Sequence, residues 1–177
     1  MRYLGVGAFA VATTDFEVAV PCRDDAEELA SVQVQAWREA YGQLLPEHFY
    51  DDAARESRQV MWSGRLSAQA GGERIHVARR QGRIVGFVVR GPAAEHQGHP
   101  QVRDEQLYAL YVLSGYYGRG VGQALLDQAL GARPAQLWVA KDNVRARRFY
   151  EKNGFTADGT AHADPDLDGL VEIRMVR

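Results

Sequence analysis

The chain has 177 residues, which is enough for one domain with a full hydrophobic core and too few for two ordinary domains. Its residues are 46% apolar, 25% charged and 10% aromatic, close to the averages of globular proteins, which excludes a disordered or fibrous chain. The 21 basic and 23 acidic residues leave a net charge of −2, so we expect no nucleic-acid partner.

Cysteine content and hydropathy bear on the compartment. Cys22 is the only cysteine, which excludes an intramolecular disulfide and favours a reducing cytoplasm. No run reaches the roughly 18 apolar residues of a membrane span, and residues 1–12 make a poor signal peptide because small residues interrupt a short apolar stretch. We therefore expect a loose N-terminal extension over residues 1–15, one domain over 16–177, and no membrane partner.

The first third of the chain predicts one strand and two helices. Alternating apolar and polar residues predict a strand over 16–20, closed by Pro21. A helix is predicted over Ala26–Tyr41, where apolar residues recur largely every three or four positions and Gly42 stops the run. A second helix is predicted over 55–68.

In the middle of the chain the apolar period changes to two. Residues 75–79 and 84–90 flank a turn at Gln81-Gly82 and predict a β-hairpin. The polar segment 91–104 is rich in Gly, Pro and His, and loops of this length in a compact domain usually carry function or move. Residues 106–113 (QLYALYVL) have the pattern of a strand buried on both faces.

The remainder of the chain alternates helices with strands. Helices are predicted over 121–130 and 144–153, and strands over 136–140, 155–157 and 171–176. The resulting order, β-α-α-β-β-β-α-β-α-β-β, has neither a repeat nor a linker and indicates one α/β domain around a mixed sheet.

A glycine-rich turn joins the strand at 106–113 to the helix that begins at Val121. Its glycines alternate along the chain: Gly118, Gly120 and Gly122. Glycine lets the backbone approach a ligand closely, and the first amides of a helix lack helical partners, so the turn favours a phosphate ligand, with Arg119 as an added charge. The alternative is a tight turn that simply needs small residues. The P-loop pattern is absent, and the dinucleotide fingerprint fails at Gln123.

Two segments, QLYALYVLSGYYGRGVGQALLDQAL and LWVAKDNVRARRFYEKNGF, resemble the GCN5-related N-acetyltransferase (GNAT) family. The family's signature is Gln/Arg-x-x-Gly-x-Gly/Ala after a strand, and its second hallmark is an Asn-led helix that ends in Phe-Tyr and is followed by Gly-Phe. The Trp37-x-x-x-Tyr41 spacing also resembles bacterial members. The resemblance implies an α/β single-domain GNAT fold with about six to seven strands, splayed central strands and about four helices.

The resemblance further implies that acetyl-CoA binds between the splayed strands, with its pantetheine along the fourth strand and its pyrophosphate on the glycine turn. Tyr150 would protonate the leaving sulfur, and a strand N–H near Tyr111 would hold the oxyanion. The implied cofactor-binding residues are Leu110, Tyr111, Val112, Gly118, Arg119, Gly120, Val121, Gly122, Gln123 and Asn143. From the residues alone, Asn143 is equally a helix N-cap and Tyr150 a core residue.

The sequence departs from the family pattern at two positions. Tyr117 stands where the signature has Gln or Arg, so one side-chain contact to the phosphates is missing or is made by Arg119. Gln106 lies where relatives often carry a glutamate base, and an amide cannot accept a proton at useful pH. Glu105 would point to the opposite face of a regular strand, although a bulge could turn it. Otherwise the base is a water chain or a residue of the loop that carries His96 and His99.

The predicted activity is acetyl-CoA-dependent transfer of an acetyl group directly to a primary amine. Candidate acceptor contacts are Trp37, Tyr41 and Gln106. Clustered aromatic residues and the lack of an acidic groove favour a small molecule as acceptor. The alternatives are a protein N-terminal acetyltransferase and an acyl-CoA-binding regulatory module that has lost turnover.

No metal is expected, because Glu95, His96 and His99 have no further strong ligand at diagnostic spacing. The C-terminal strands leave open whether two copies pair as a homodimer.

Overall fold

A computed structural model describes residues 15–68 and 72–177 of the chain. The extension predicted over residues 1–15 therefore lies outside the described residues, except for Asp15. The Asp15 carboxylate forms an ion pair with Arg80, in which Nε and Oδ2 are 2.5 Å apart.

Within the described residues, seven strands and four helices carry the fold. The strands are β1 (Glu17–Ala19), β2 (Arg74–Arg80), β3 (Arg83–Pro92), β4 (Glu105–Val112), β5 (Gln136–Ala140), β6 (Thr156–Asp164) and β7 (Leu170–Val176). The helices are α1 (Ala26–Tyr41), α2 (Asp52–Ala68), α3 (Val121–Ala129) and α4 (Val144–Lys152). The strands form one mixed sheet in the order β1-β2-β3-β4-β5-β7-β6, in which β4 and β5 run parallel. The predicted α/β fold and order of elements are confirmed.

Two predicted boundaries were wrong by several residues. Helix α2 begins at Asp52 rather than at residue 55, because the Asp51 carboxylate accepts the Ala54 N–H at 2.8 Å and caps the first turn. Strand β6 runs to Asp164 instead of ending at residue 157. It pairs with β7 on both sides of an irregularity between Ala157 and Ala161. The prediction ended the strand too early because the residues of β6 are mostly exposed and show little apolar alternation.

Helices cover both faces of the sheet. Successive strand residues point to opposite faces, so each face carries apolar side chains that a helix buries. On one face Val77 and Phe87 pack against Trp62 of α2, with the Phe87 and Trp62 rings edge to face at 5.2 Å. On the other face Val88 packs in the cluster that contains Leu125 of α3. The sheet is thereby held rigidly between two hydrophobic layers, which fixes the positions of its central strands.

The central strands separate soon after they begin. β4 and β5 pair only at Gln106–Gln136 and Leu107–Leu137. The buried Gln136 side chain closes this end: its Nε2 donates to Gln106 Oε1 at 2.8 Å, and its Oε1 accepts the Val102 N–H at 2.7 Å. Beyond Leu107, β4 has no β5 partner, so the edge of the strand that faces β5 opens into a cleft. This confirms the predicted splay.

Within the described residues, no helix is both long and apolar enough to cross a membrane.

Candidate active site

A cavity of about 400 Å³ lies where β4 and β5 separate. Its volume falls in the range of small-molecule and cofactor sites. One side is β4 from Leu107 to Val112, a second is the glycine turn with the start of α3, and a third is α4. The C-terminal half of α1 contributes Ala36, Ala40 and Tyr41 at the far end.

The glycine turn brings the start of α3 to the cavity. Gly118 and Gly120 have φ of +72° and +82°, which L side chains rarely adopt, whereas an added Cβ at either would meet no atom within 4 Å. These glycines are therefore required by backbone conformation rather than by lack of space. Gly120 is also the N-cap of α3 and offers no side chain to its first amides. Those amides are donors suited to an anion, and Val121, Gly122 and Gln123 all line the cavity.

Asn143 is a helix cap and Tyr150 is a core residue, and both also line the cavity. Asn143 caps α4, since its Oδ1 accepts the Ala146 N–H at 3.1 Å, and it also lines the cavity. Because the cap uses the carbonyl oxygen, the amide NH₂ is the group left for other partners. Tyr150 is 8% exposed and packs edge to face against Phe155 while lining the cavity. Burial raises the pKa of Tyr150, so its hydroxyl keeps its proton and is a donor at neutral pH.

This chain is similar to proteins already named as acetyltransferases. A probable N-acetyltransferase of Mycobacterium tuberculosis is 30% identical over 149 residues, which cover 82% of this chain and 83% of that protein. The model of an acetyltransferase (GNAT) domain family matches residues 71–157. The chain belongs to the GNAT family. A second M. tuberculosis protein, an uncharacterized N-acetyltransferase, is 34% identical over 145 residues, covering 77% of this chain and 86% of that protein. The chain is accordingly an N-acetyltransferase.

The fold of this chain is also similar to that of solved acetyltransferase structures. The crystal structure of the PaiA N-acetyltransferase from Thermoplasma acidophilum, in complex with coenzyme A, superposes with a TM-score of 0.69 at 20% identity, over 92% of this chain and 98% of that one. At this level of identity the likeness establishes the fold.

At the glycine turn of this GNAT enzyme, the cation beside the cavity is Arg145 rather than Arg119. The Arg145 guanidinium carbon lies 3.5 Å from the ring centroid of Tyr117, and both residues line the cavity. Arg119 is not among the lining residues, and its guanidinium lies 6.0 Å from the Tyr116 ring. Sequence reasoning missed Arg145, although its place in the first turn of α4, two residues after Asn143, was a usable signal.

The end of the cavity under α1 is built from two tyrosines. Tyr41 and Tyr111 both line it, whereas Trp37 lies behind them, with its ring centroid 5.6 Å from Tyr41 and 6.3 Å from Tyr111. Burial, with a smaller effect of the neighbouring Tyr41 hydroxyl, raises the pKa of Tyr111 well above its usual value. Burial also raises the pKa of Tyr41, so both hydroxyls are protonated at neutral pH. Of the three aromatic residues, Tyr41 and Tyr111 are placed to contact a ligand.

Gln106 and Glu105 do not reach the cavity. Gln106 is buried in its hydrogen bond with Gln136, and Glu105 pairs with Arg90, whose Nη1 lies 2.8 Å from Oε2. His96 and His99 are also absent from the lining, with ring centroids 5.1 Å and 5.6 Å from Trp138, which does line it. Among the described residues that line the cavity there is no Asp, Glu or His.

Proposed function

We propose that this GNAT enzyme transfers the acetyl group of acetyl-CoA directly to the primary amine of a small molecule. One observation carries the proposal: a single cavity contains an unpaired strand edge, the uncapped amides of a helix and a buried tyrosine hydroxyl. These three features supply, respectively, backbone partners for an amide-containing arm, donors for a pyrophosphate, and an acid for a leaving group.

The unpaired part of β4 suits the pantetheine arm of acetyl-CoA. Leu110, Tyr111 and Val112 pair with β3 on one side, and among the described residues no strand pairs with their other side. An exposed strand edge binds extended groups through main-chain hydrogen bonds, and the two amides of pantetheine are such groups. Asn143 lines the same cavity, and its NH₂, which the helix cap does not use, is a further donor for the arm.

The start of α3 suits the pyrophosphate. The amides of residues 118–123 and the positive end of the helix dipole favour an anion, and Arg145 places a guanidinium on the Tyr117 ring beside them. Arg145 thus takes the role expected of a polar residue at position 117. We accordingly do not attribute a loss of cofactor binding to Tyr117.

The residues around the thioester suit direct transfer. As the amine nitrogen bonds to the thioester carbon, a negative charge develops on the carbonyl oxygen, and an N–H of β4 near Tyr111 is positioned to stabilise it. When the carbon–sulfur bond breaks, Tyr150 donates its proton to the sulfur. Because no carboxylate or histidine is among the described lining residues, the proton of the amine leaves through water.

The acceptor site is assigned to the end of the cavity under α1. Tyr41 and Tyr111 line it with Trp37 behind them, and aromatic surfaces bind the carbon skeleton of a small amine. Gln106 is omitted from this acceptor site because its side chain is buried against Gln136.

Calorimetric titration with acetyl-CoA and CoA, followed by thiol release over a panel of amines, tests the proposal. The panel contains small amines, aminoglycosides and short peptides with free N-termini. We expect micromolar binding of acetyl-CoA and thiol release with a small amine. Binding without release for any acceptor would favour a regulatory module, release with peptides alone would favour a protein N-terminal acetyltransferase, and no binding would refute the cofactor assignment.

A further inference from the structure

A second group of chemically active side chains lies on β6, β7 and the β3–β4 loop, next to Trp138, which lines the cavity. His162 and Glu172 are direct cross-strand partners on β6 and β7, so their side chains share one face of the sheet. Asp164 follows His162 by two residues on β6 and projects from the same face. His96 reaches this face from the loop between β3 and β4. One ligand atom from each of the four residues lies within 4.8 Å of the other three.

We propose that His96, His162, Asp164 and Glu172 form a binding site for one Zn²⁺ ion. The proposal does not depend on the acetyl-transfer function and differs from the sequence-based expectation of no metal.

The spacing of the ligand atoms fits a tetrahedral ion. With bonds of about 2.0–2.1 Å to nitrogen and oxygen, neighbouring ligand atoms of tetrahedral zinc are roughly 3.3–3.4 Å apart. Glu172 Oε2 lies 3.5 Å from His96 Nε2 and 3.6 Å from His162 Nε2. These two distances are within a few tenths of an ångström of that spacing, and the other ligand atoms, all within 4.8 Å of one another, would move closer together around the ion.

The imidazoles lack the partners that buried polar groups normally have. The His162 side chain is 8% exposed, yet neither Nδ1 nor Nε2 has a hydrogen-bond partner among the described residues. The Nε2 of His96 is likewise buried without one. An unsatisfied buried polar group destabilises a protein by about 1–3 kcal/mol, so the arrangement calls for a ligand. A cation that accepts one nitrogen lone pair from each imidazole would give His96 Nε2 and one nitrogen of His162 a partner.

The loop that carries His96 is held in place before any ion binds. His96 and His99 exchange backbone hydrogen bonds of 3.0 Å and 2.9 Å, which close a tight turn. The loop is attached to β7 because Arg174 donates to the Pro100 carbonyl at 2.8 Å. The Asp164 carboxylate is oriented by the Asp166 N–H at 2.9 Å. The site is therefore largely preorganised, which reduces the entropy lost on binding.

The ligand set selects the kind of ion. Two imidazoles and two carboxylates suit zinc, whereas calcium and magnesium prefer oxygen ligands alone. The two carboxylates also balance the charge of a divalent ion. Because all four ligands come from the protein, the site is of the closed, structural kind rather than the catalytic kind with an open position. The ion would fasten the β3–β4 loop to β6 and β7 beside Trp138, a wall of the cavity.

Metal content and affinity test the proposal directly. The full chain is produced without a polyhistidine tag, stripped with a chelator, and reloaded with Zn²⁺ in competition with a chromophoric chelator. We expect one Zn²⁺ per chain, and a tetrahedral ligand-field spectrum when Co²⁺ replaces Zn²⁺. His162→Gln should weaken binding by at least about 100-fold and abolish that spectrum. Chelation should lower the unfolding midpoint of the wild type and leave that of His162→Gln unchanged.

His76→Gln is the matched control, because His76 is also a half-buried strand histidine whose Nδ1 has no partner among the described residues. This variant should bind Zn²⁺ as the wild type does. His96→Gln, in a loop, replaces His162→Gln if the latter does not fold. Failure of the stripped chain to take up Zn²⁺, or uptake that survives both substitutions, would overturn the proposal.

Discussion

Strand β5 has different kinds of binding surface on its two sides. On the β4 side the strands separate after two residue pairs, and the cavity is bounded by a free strand edge and the first amides of α3. On the β7 side the pairing continues from Gln136–Val176 to Ala140–Glu172, so the backbone is satisfied and only side chains remain to bind anything. As proposed, the first surface binds acetyl-CoA mainly through backbone groups, and the second binds an ion through four side chains.

This difference determines how each surface responds to substitution. A site formed by backbone amides depends on the conformation of the chain and tolerates the exchange of many side chains, which is consistent with Tyr117 standing where the family signature has Gln or Arg. A site formed by side chains loses a ligand with each substitution. The glycine turn should thus be sensitive at its positive-φ positions and tolerant elsewhere.

Replacement of Gly120 should have the largest effect. Gly120→Asp forces a side chain into a conformation with φ of +82° and places a negative charge at the anion-binding amides, so acetyl-CoA binding should fall by more than about 100-fold. The control is Gly82→Asp, which has φ of +78° and equally open surroundings but lies in the β2–β3 turn outside the cavity lining. Calorimetry on both folded variants makes the comparison. Intact binding by Gly120→Asp would exclude the glycine turn as the phosphate site.

Removal of the Tyr150 hydroxyl should have the next largest effect, confined to turnover. Tyr150→Phe keeps the packing against Phe155 but deletes the proton donor, so kcat should fall by about 100-fold or more while the Kd of acetyl-CoA changes little. Tyr50→Phe is the matched control, since Tyr50 is also buried and its hydroxyl has no partner among the described residues. A Tyr150→Phe variant with wild-type kcat would remove Tyr150 from the mechanism.

The backbone-built side was largely predictable from the sequence, because its parts are contiguous. One run of residues encodes β4, the glycine turn and α3, and the next encodes β5 and α4, so local periodicity and glycine spacing predicted these elements, and the family resemblance implied the splay between β4 and β5. The fate of Gln106 was not predictable in this way. Its partner Gln136 lies 30 residues further along the chain, and the hydrogen bond between them follows only from the pairing of β4 with β5.

The side-chain cluster was not visible in the sequence for a related reason. His96 and Glu172 belong to distant segments, and His162 lies in a stretch of β6 where a strand was not predicted. The strand was missed because β6 lies at the edge of the sheet and its exposed residues do not alternate with apolar ones. His162 and Glu172 become neighbours only through the β6–β7 register. Register depends on the whole sheet, and no local pattern specified it here.

Loss of Arg145 should have a moderate effect on the cofactor, because a side chain only supplements the backbone amides. Arg145→Ala removes the guanidinium stacked on Tyr117, and the affinity for acetyl-CoA should fall roughly 10-fold, less so at high salt. Arg119→Ala, which removes an arginine outside the cavity lining, should change it less than about 2-fold. Titrations at two ionic strengths separate the two variants. An equal loss in both would mean that Arg119 reaches the phosphates in solution.

The smallest effect on binding is expected at an ion pair that supports only the scaffold. Burial alone would raise the pKa of Asp25, but hydrogen bonds from Arg79, at 2.6 Å, and from the Cys22 N–H, at 2.7 Å, outweigh it and lower that pKa. Because the folded-state pKa lies below the unfolded value of 3.8, the pair stabilises the fold above that pH, and this stabilisation is lost as the pH falls through the folded-state value.

Asp25→Asn should lower the free energy of unfolding by about 1 kcal/mol at pH 7 and reduce the acid dependence of urea unfolding. Asp24→Asn, at an exposed neighbour, should do neither. Neither variant should change the Kd of acetyl-CoA. A change in Kd for Asp25→Asn alone would mean that the position of α1 sets the shape of the cavity, and that the binding site depends on scaffold side chains as well as on its own backbone.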